Sequence, residues 1–155
     1  NPSFETAGPQ GPQGPQTSFT GLYPGPCAAA EWEVFNNTSA TTTTELVPTT
    51  CPNGGTRMIH VRTVGTNNGI SQIWDATSGL PHASFSVRVY VVQGKVGIGI
   101  GHLGDTSLTS FTTTTGSWEH VTGTNLANQS PVNNIAIMSS GPGIADFYVD
   151  LVSVS

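Results

Sequence analysis

Charge is what this chain has least of. Among 155 residues, Lys and Arg total 4 and Asp and Glu total 9, for a formal net charge of −5. One lysine and three arginines cannot assemble a basic patch, which argues against nucleic acid and anionic membrane as partners. No apolar run reaches about 18 residues, so no membrane-spanning helix is expected. No segment of about 12 residues or more carries a helical apolar stripe. His60, His82, His102 and His120 lack the close spacing of a zinc site and read as surface or edge residues. Gly-x-Ser-x-Gly, a phosphate loop and a Cys/His pairing are all missing. Glu31 and Glu33 share a strand face but flank Trp32 in an isolated segment, and Asp75, Glu119 and Asp146 are scattered, with no motif supporting a pair for glycoside hydrolysis. The expectation is a protein without catalytic activity.

Cysteine is nearly absent too. Cys27 follows Pro24-Gly25-Pro26, and Cys51 precedes Pro52-Asn53-Gly54-Gly55. Two buried thiols are one reading. The loop positions favour the other, a disulfide closing a loop of about 25 residues, worth roughly 3 kcal/mol in the chain-entropy model. That bond implies an oxidising, extracellular compartment and a secreted protein. The first residue is Asn1 rather than Met, from which a processed chain is expected. Asn36-Asn37-Thr38, Asn37-Thr38-Ser39 and Asn128-Gln129-Ser130 are glycosylation sequons.

What remains is rich in Thr, Gly and Pro, the composition of strands and turns. Short strands are expected over Ala28–Phe35, Thr41–Val47, Arg57–Arg62, Ile70–Trp74, Ser84–Val92, Val96–Ile100, Leu108–Thr113, Ser117–Val121, Asn133–Ser139 and Asp146–Val154. This spacing predicts an all-β sandwich or barrel of one domain, 1–155. Ile59 and Val61 point inward, as do Phe85, Val87, Val89 and Val91, and Val96, Ile98 and Ile100. Gln93-Gly94 is expected to join Ser84–Val92 to Lys95–Ile100 as a hairpin. The three Gly-Pro-Gln triplets of Gly8–Gln16 are too few for an independent collagen helix. They read as a polyproline II spacer of about 28 Å, inside a Gly/Pro-rich loop at 7–26. A trimer tied through this segment is a further possibility.

Two features bear on function. Asn1–Glu5 and Phe147–Val154 each look like a strand with one isolated carboxylate, Glu5 and Asp150. Either the two ends lie side by side and share a hard cation such as calcium, or both carboxylates are solvated. Gly97 and Gly99 leave a bare strand face, beside which Gln72, Trp74, Arg88 and Tyr90 fall at matching parity. Together they would form a shallow groove suited to sugars, the aromatic rings packing on C–H faces and the amide and guanidinium meeting hydroxyls. The other reading is that Trp74 and Tyr90 cover a minor core. Trp32 and Trp118 read as core or rim residues.

Several motifs resemble the carbohydrate-binding modules of the galactose-binding-domain-like jelly roll, the kind grouped in families 4, 9 and 22. They are Asn1-Pro2-Ser3-Phe4-Glu5, Gly54 to Val61, Ser84 to Val91, Gly116-Ser117-Trp118-Glu119-His120-Val121 and Ala145 to Val154, in the family's order. The resemblance implies a jelly-roll sandwich of two antiparallel sheets that binds polysaccharide without catalysis. It also implies a structural Ca2+ held by Glu5 and Asp150 with backbone oxygens near Gly55 and Arg57. Where such modules often carry a second acid in the closing strand, this chain has Leu151. Similar Asn-Pro-Ser-Phe-Glu domains follow collagen-like stretches in phage tail and surface proteins. The alternative function is therefore a structural or adhesive subunit of an extracellular filament, virion or cell surface, with a homo-oligomer as its working form.

Overall fold

A computed structural model describes residues 21–23, 32–36, 42–73, 83–102, 106–126 and 132–155. Those residues hold eleven strands and no helix. In chain order these are β1 (Gly21–Tyr23), β2 (Trp32–Asn36), β3 (Thr43–Pro48), β4 (Arg57–Val64), β5 (Asn68–Ile73), β6 (Ser84–Gln93), β7 (Val96–Gly101), β8 (Ser110–Phe111), β9 (Trp118–Thr124), β10 (Asn134–Ser139) and β11 (Ile144–Val154). They form two antiparallel sheets, ordered β1-β2-β5-β10-β7-β8 and β3-β4-β11-β6-β9.

The strands follow from the period-two alternation of the sequence. In β6 the buried residues Phe85, Val87, Val89 and Val91 alternate with half-exposed Ser86, Arg88 and Tyr90. Ile59, Val61, Phe147 and Val149 line the same inner face. Opposite them stand Ile70, Ile98, Ile100, Ile135 and Ile137 of the six-stranded sheet, all fully buried. Trp32 belongs to this core as well. Each fully buried aliphatic side chain contributes about 1.5–3 kcal/mol, so the layer between the sheets is the main source of stability.

The hairpin expected from Gln93-Gly94 does not form. β6 pairs with β11 and β9, whereas β7 pairs with β10 and β8, so the chain crosses between the two sheets here. Gly94 has a positive φ of 84°, which suits an arch as well as a hairpin turn. The deciding difference is burial. β7 and β10 are buried on both faces, whereas the outer face of β6 is only half-covered. On β7 the outer face is closed by the backbone of Ser107 and Leu108. A Cβ on Gly99 would lie 2.0 Å from the Ser107 carbonyl oxygen, so only glycine fits.

The closing strand carries an irregularity. Asp150 pairs with Arg88 and Ser153 with Ser86, three residues against two. Leu151 occupies this bulge with a φ of 49°. The extra residue reverses the alternation, so that Phe147 and Val149 face the core before it and Val152 and Val154 after it.

The expected disulfide is also corrected. Cys51 is a free, buried thiol. It lies in the loop between β3 and β4, where its N–H donates to Thr49 Oγ1 at 3.0 Å and its thiol is directed to the Pro52 carbonyl at 3.7 Å. The loop's own hydrogen bonds thus hold the sulfur among local groups. Cys27 and the Asn1–Glu5 strand lie outside the described residues, as does nearly all of the Gly/Pro-rich 7–26 loop.

Candidate functional site

The outer face of the five-stranded sheet is built from the residues that alternate with its core. Register places Glu45 beside His60, His60 beside Tyr148, Tyr148 beside Tyr90 and Tyr90 beside Trp118. Directly paired residues share a face, so one row crosses all five strands. From His60 to Trp118 it spans three strand spacings, about 14 Å. The rings touch in sequence. His60 and Tyr148 stack with centroids 4.4 Å apart and planes at 18°. Tyr148 meets Tyr90 edge-on at 6.2 Å, and Tyr90 meets Trp118 edge-on at 5.8 Å. All four are half-buried, resting on the sheet with one side open.

A second row runs parallel, from Asp150 through Arg88 to His120. The β3–β4 loop lies over part of it. Thr49 Oγ1 donates to Asp150 Oδ2 at 2.6 Å, and the Trp118 indole N–H donates to Thr50 Oγ1 at 3.4 Å. These two anchors carry the loop from one edge of the sheet to the other. Asp150 is accordingly buried. The loop makes one wall of a trough whose floor is the aromatic row. The other flank, with Arg62 and Val92 exposed and Asp146 half-buried, is open.

Polar groups cluster at the His60 end. The two ring nitrogens lie 2.7 Å from Glu45 Oε1 and 2.7 Å from Asp146 Oδ1. Arg62 Nε is 3.9 Å from the other Asp146 oxygen. Burial pushes the Tyr148 phenol above its ordinary value, and the charges of Asp146 and Glu45 and the neighbouring Tyr90 push it the same way. It therefore stays a neutral hydroxyl, able to donate and accept. At the opposite end His120 Nε2 lies 2.6 Å from Ser86 Oγ.

The residues expected to form a groove are not all brought together. Arg88 and Tyr90 lie on this outer face. Gln72 does not. It sits on β5 of the other sheet, in register with Trp32 and Ile135, and so on that sheet's inner side. The parity behind that grouping presumed that β5 shared an exposed face with β6, whereas the core separates them. Trp74 lies outside the described residues. Parity did contain what was missed. Trp118 is an odd number of residues from buried Val121, Tyr148 alternates with Phe147 and Val149, and His60 with Ile59 and Val61. What one strand cannot reveal is which strands lie beside it.

Of the set implied for calcium, Glu5 lies outside the described residues. Asp150 Oδ1 accepts the N–H of Leu151 at 2.8 Å, and Oδ2 accepts the Thr49 hydroxyl. Among the described residues no three His, Cys, Asp or Glu side chains gather to hold a metal.

No family model and no curated protein sequence matches this chain. Solved structures do match in shape. One is the CBM22-1–GH10 modules of the Clostridium thermocellum endo-1,4-beta-D-xylanase 10B complexed with xylohexaose. Its TM-score is 0.59 at 17% identity, over 74% of this chain and 24% of that one. Another is the family 11 carbohydrate-binding module of the cellulosomal cellulase Lic26A-Cel5E of Clostridium thermocellum. There the TM-score is 0.53 at 15% identity, over 87% of this chain and 94% of that one. This chain has the jelly-roll fold of the carbohydrate-binding modules. It spans about a quarter of the xylanase structure but nearly the whole family 11 module. The β-sandwich architecture expected from the sequence is thereby shown.

Proposed function

We propose that this chain is a non-catalytic glycan-binding module whose binding surface is the outer face of the five-stranded sheet. The observation that carries the reading is the aromatic row Tyr148–Tyr90–Trp118, laid across adjacent strands beside a loop wall. Aromatic rings offer C–H faces of sugars a flat apolar contact, while hydroxyls need polar partners nearby. Arg62 and the Tyr148 hydroxyl supply such partners along the open flank and floor. Arg88, next to Asp150 in the second row, is the cation of the loop side. The carboxylates nearest the row, Glu45 and Asp146, are both engaged by one imidazole. That arrangement favours binding over hydrolysis, which needs two carboxylates flanking a scissile bond. Solved structures of the same fold include a family 11 module in complex with a beta-1,3-1,4-mixed-linked tetrasaccharide, with a TM-score of 0.51 at 15% identity. An extracellular site of action goes with this reading, because polymeric glycan is met there.

Affinity electrophoresis against a panel of soluble polysaccharides, followed by calorimetry on the strongest binder, tests the proposal. Trp118→Ala and Tyr90→Ala are expected to lose about 2 kcal/mol of affinity each, roughly thirtyfold, as buried aromatic anchors do. Unchanged affinity in both variants would remove this face as the site. We extend the proposal to a structural calcium ion held by Asp150 with Glu5 and backbone oxygens at Gly55 and Arg57, fastening the β3–β4 loop. Excess EDTA should then lower the melting temperature, and an identical melt with and without EDTA argues the ion away.

A further inference from the structure

We infer that His60 is a positioning residue for the aromatic floor, and that the proton it carries sets how firmly Tyr148 is held for glycan. The inference rests on the glycan-binding reading above and adds a regulation to it. An imidazole carrying one hydrogen has one donor and one acceptor, and only the imidazolium has two donors. Here both nitrogens face carboxylate oxygens at 2.7 Å, Glu45 from β3 and Asp146 from β11. Both bonds are satisfied only when both nitrogens carry hydrogen. With one hydrogen removed, a nitrogen lone pair confronts a carboxylate oxygen, and the ring or one carboxylate has to shift.

The ring cannot shift alone. Tyr148 stacks on it nearly parallel at 4.4 Å, and Tyr90 is held edge-on against Tyr148 at 6.2 Å. A positively charged imidazole also attracts the face of the phenol ring, an attraction the neutral form lacks. The remaining groups facing this cluster are few. Arg62, on the same strand as His60, reaches the far oxygen of Asp146 at 3.9 Å. Arg88 lies two positions from Tyr90 on β6, in the parallel row. Glu45 is half-exposed, at 52% of its side-chain surface, so the bridge is open to solvent protons. The charged bridge backs the platform at acid pH, and its loss in alkali loosens the platform. Glycan affinity therefore falls as pH rises and the imidazole gives up its second hydrogen.

The test reads the coupling both with and without ligand. Ring resonances of His60 and Tyr148 are followed by NMR from about pH 5 to about pH 8. Affinity for the strongest-binding polysaccharide is measured over the same range, for the wild type and for His60→Gln and Glu45→Gln. The expected result is a Tyr148 ring shift with the His60 midpoint and a fall in wild-type affinity of about fivefold or more. Glu45→Gln, whose amide can donate to an unprotonated nitrogen, flattens that dependence without affecting the fold, and His60→Gln abolishes it. A Tyr148 ring that ignores the His60 midpoint overturns the inference, as does wild-type affinity that is level across the range. Co-titration of the two rings with no polysaccharide bound at any pH overturns the glycan reading and leaves the coupling established.

Discussion

The carboxylate of Glu119 accepts hydrogen bonds from the backbone N–H and the hydroxyl of both Thr113 and Thr114, at 2.9–3.2 Å. Burial alone would raise its pKa, but these four donors outweigh burial and bring it below the ordinary 4.5. The folded state thus prefers the ionised acid. The stability this gives is complete above the ordinary value and is lost as pH falls through the lowered one. Glu119→Gln should therefore be less stable than the wild type at neutral pH by a modest amount, with the gap narrowing below about pH 4.5. Urea midpoints at pH 7 and pH 3.5 check this, and a gap that widens in acid would contradict it. Cys51 gives a second prediction. Burial first, and the charge of Asp150 second, push its thiol up to about 11, with Arg88 opposing. The thiolate is the reactive form, so disulfide reagents at pH 8 should label Cys51 only after denaturation. Prompt labelling of the native protein would show that the β3–β4 loop opens easily.

At the level of elements, β11 shows what alternation can and cannot reveal. Phe147 and Val149 are out of phase with Val152 and Val154, and that phase change is written in the sequence. Its cause, a single extra residue at Leu151 with positive φ, emerges only when β11 is laid against β6. A left-handed conformation is tolerated at some cost by residues without a branch at Cβ and disfavours β-branched ones. Leu151→Ile keeps the side-chain volume and should destabilise by about 1–2 kcal/mol, whereas Leu151→Asn should keep the bulge. Chemical denaturation distinguishes them, and equal midpoints would mean that the bulge rearranges. The Gln93-Gly94 connection carries the opposite lesson. Two alternating runs joined by a glycine fit a hairpin and an arch equally well. The choice depends on what covers the far side of β7, the remote segment at Ser107–Leu108.

Taken as a whole, the molecule was legible in its strands and in its inward-facing residues, because both depend on local periodicity. Ile59, Val61, Val87, Val89 and Val91 are core residues by alternation and by burial alike. The proposed binding face was legible only in part. Arg88 and Tyr90 are on it, but the residues beside them come from distant strands, and Gln72 was drawn in from the wrong sheet. Phe147 sits at the centre of the core, fully buried beneath this face. Phe147→Ala should cost about 3–5 kcal/mol in urea denaturation, and a loss under about 1 kcal/mol would mean that the two layers are not packed as described.

The row that crosses the five-stranded sheet draws one residue from each strand, at positions 45, 60, 148, 90 and 118. No single strand of the chain contains it, so a saccharide docking on the proposed face recognises only the assembled sheet. Its binding free energy is added to that of the native state, in proportion to the logarithm of its concentration above the dissociation constant. Heating the protein with a library of oligosaccharides, and ranking them by the rise in melting point, would turn the fold itself into a detector for any sugar that the proposed face binds.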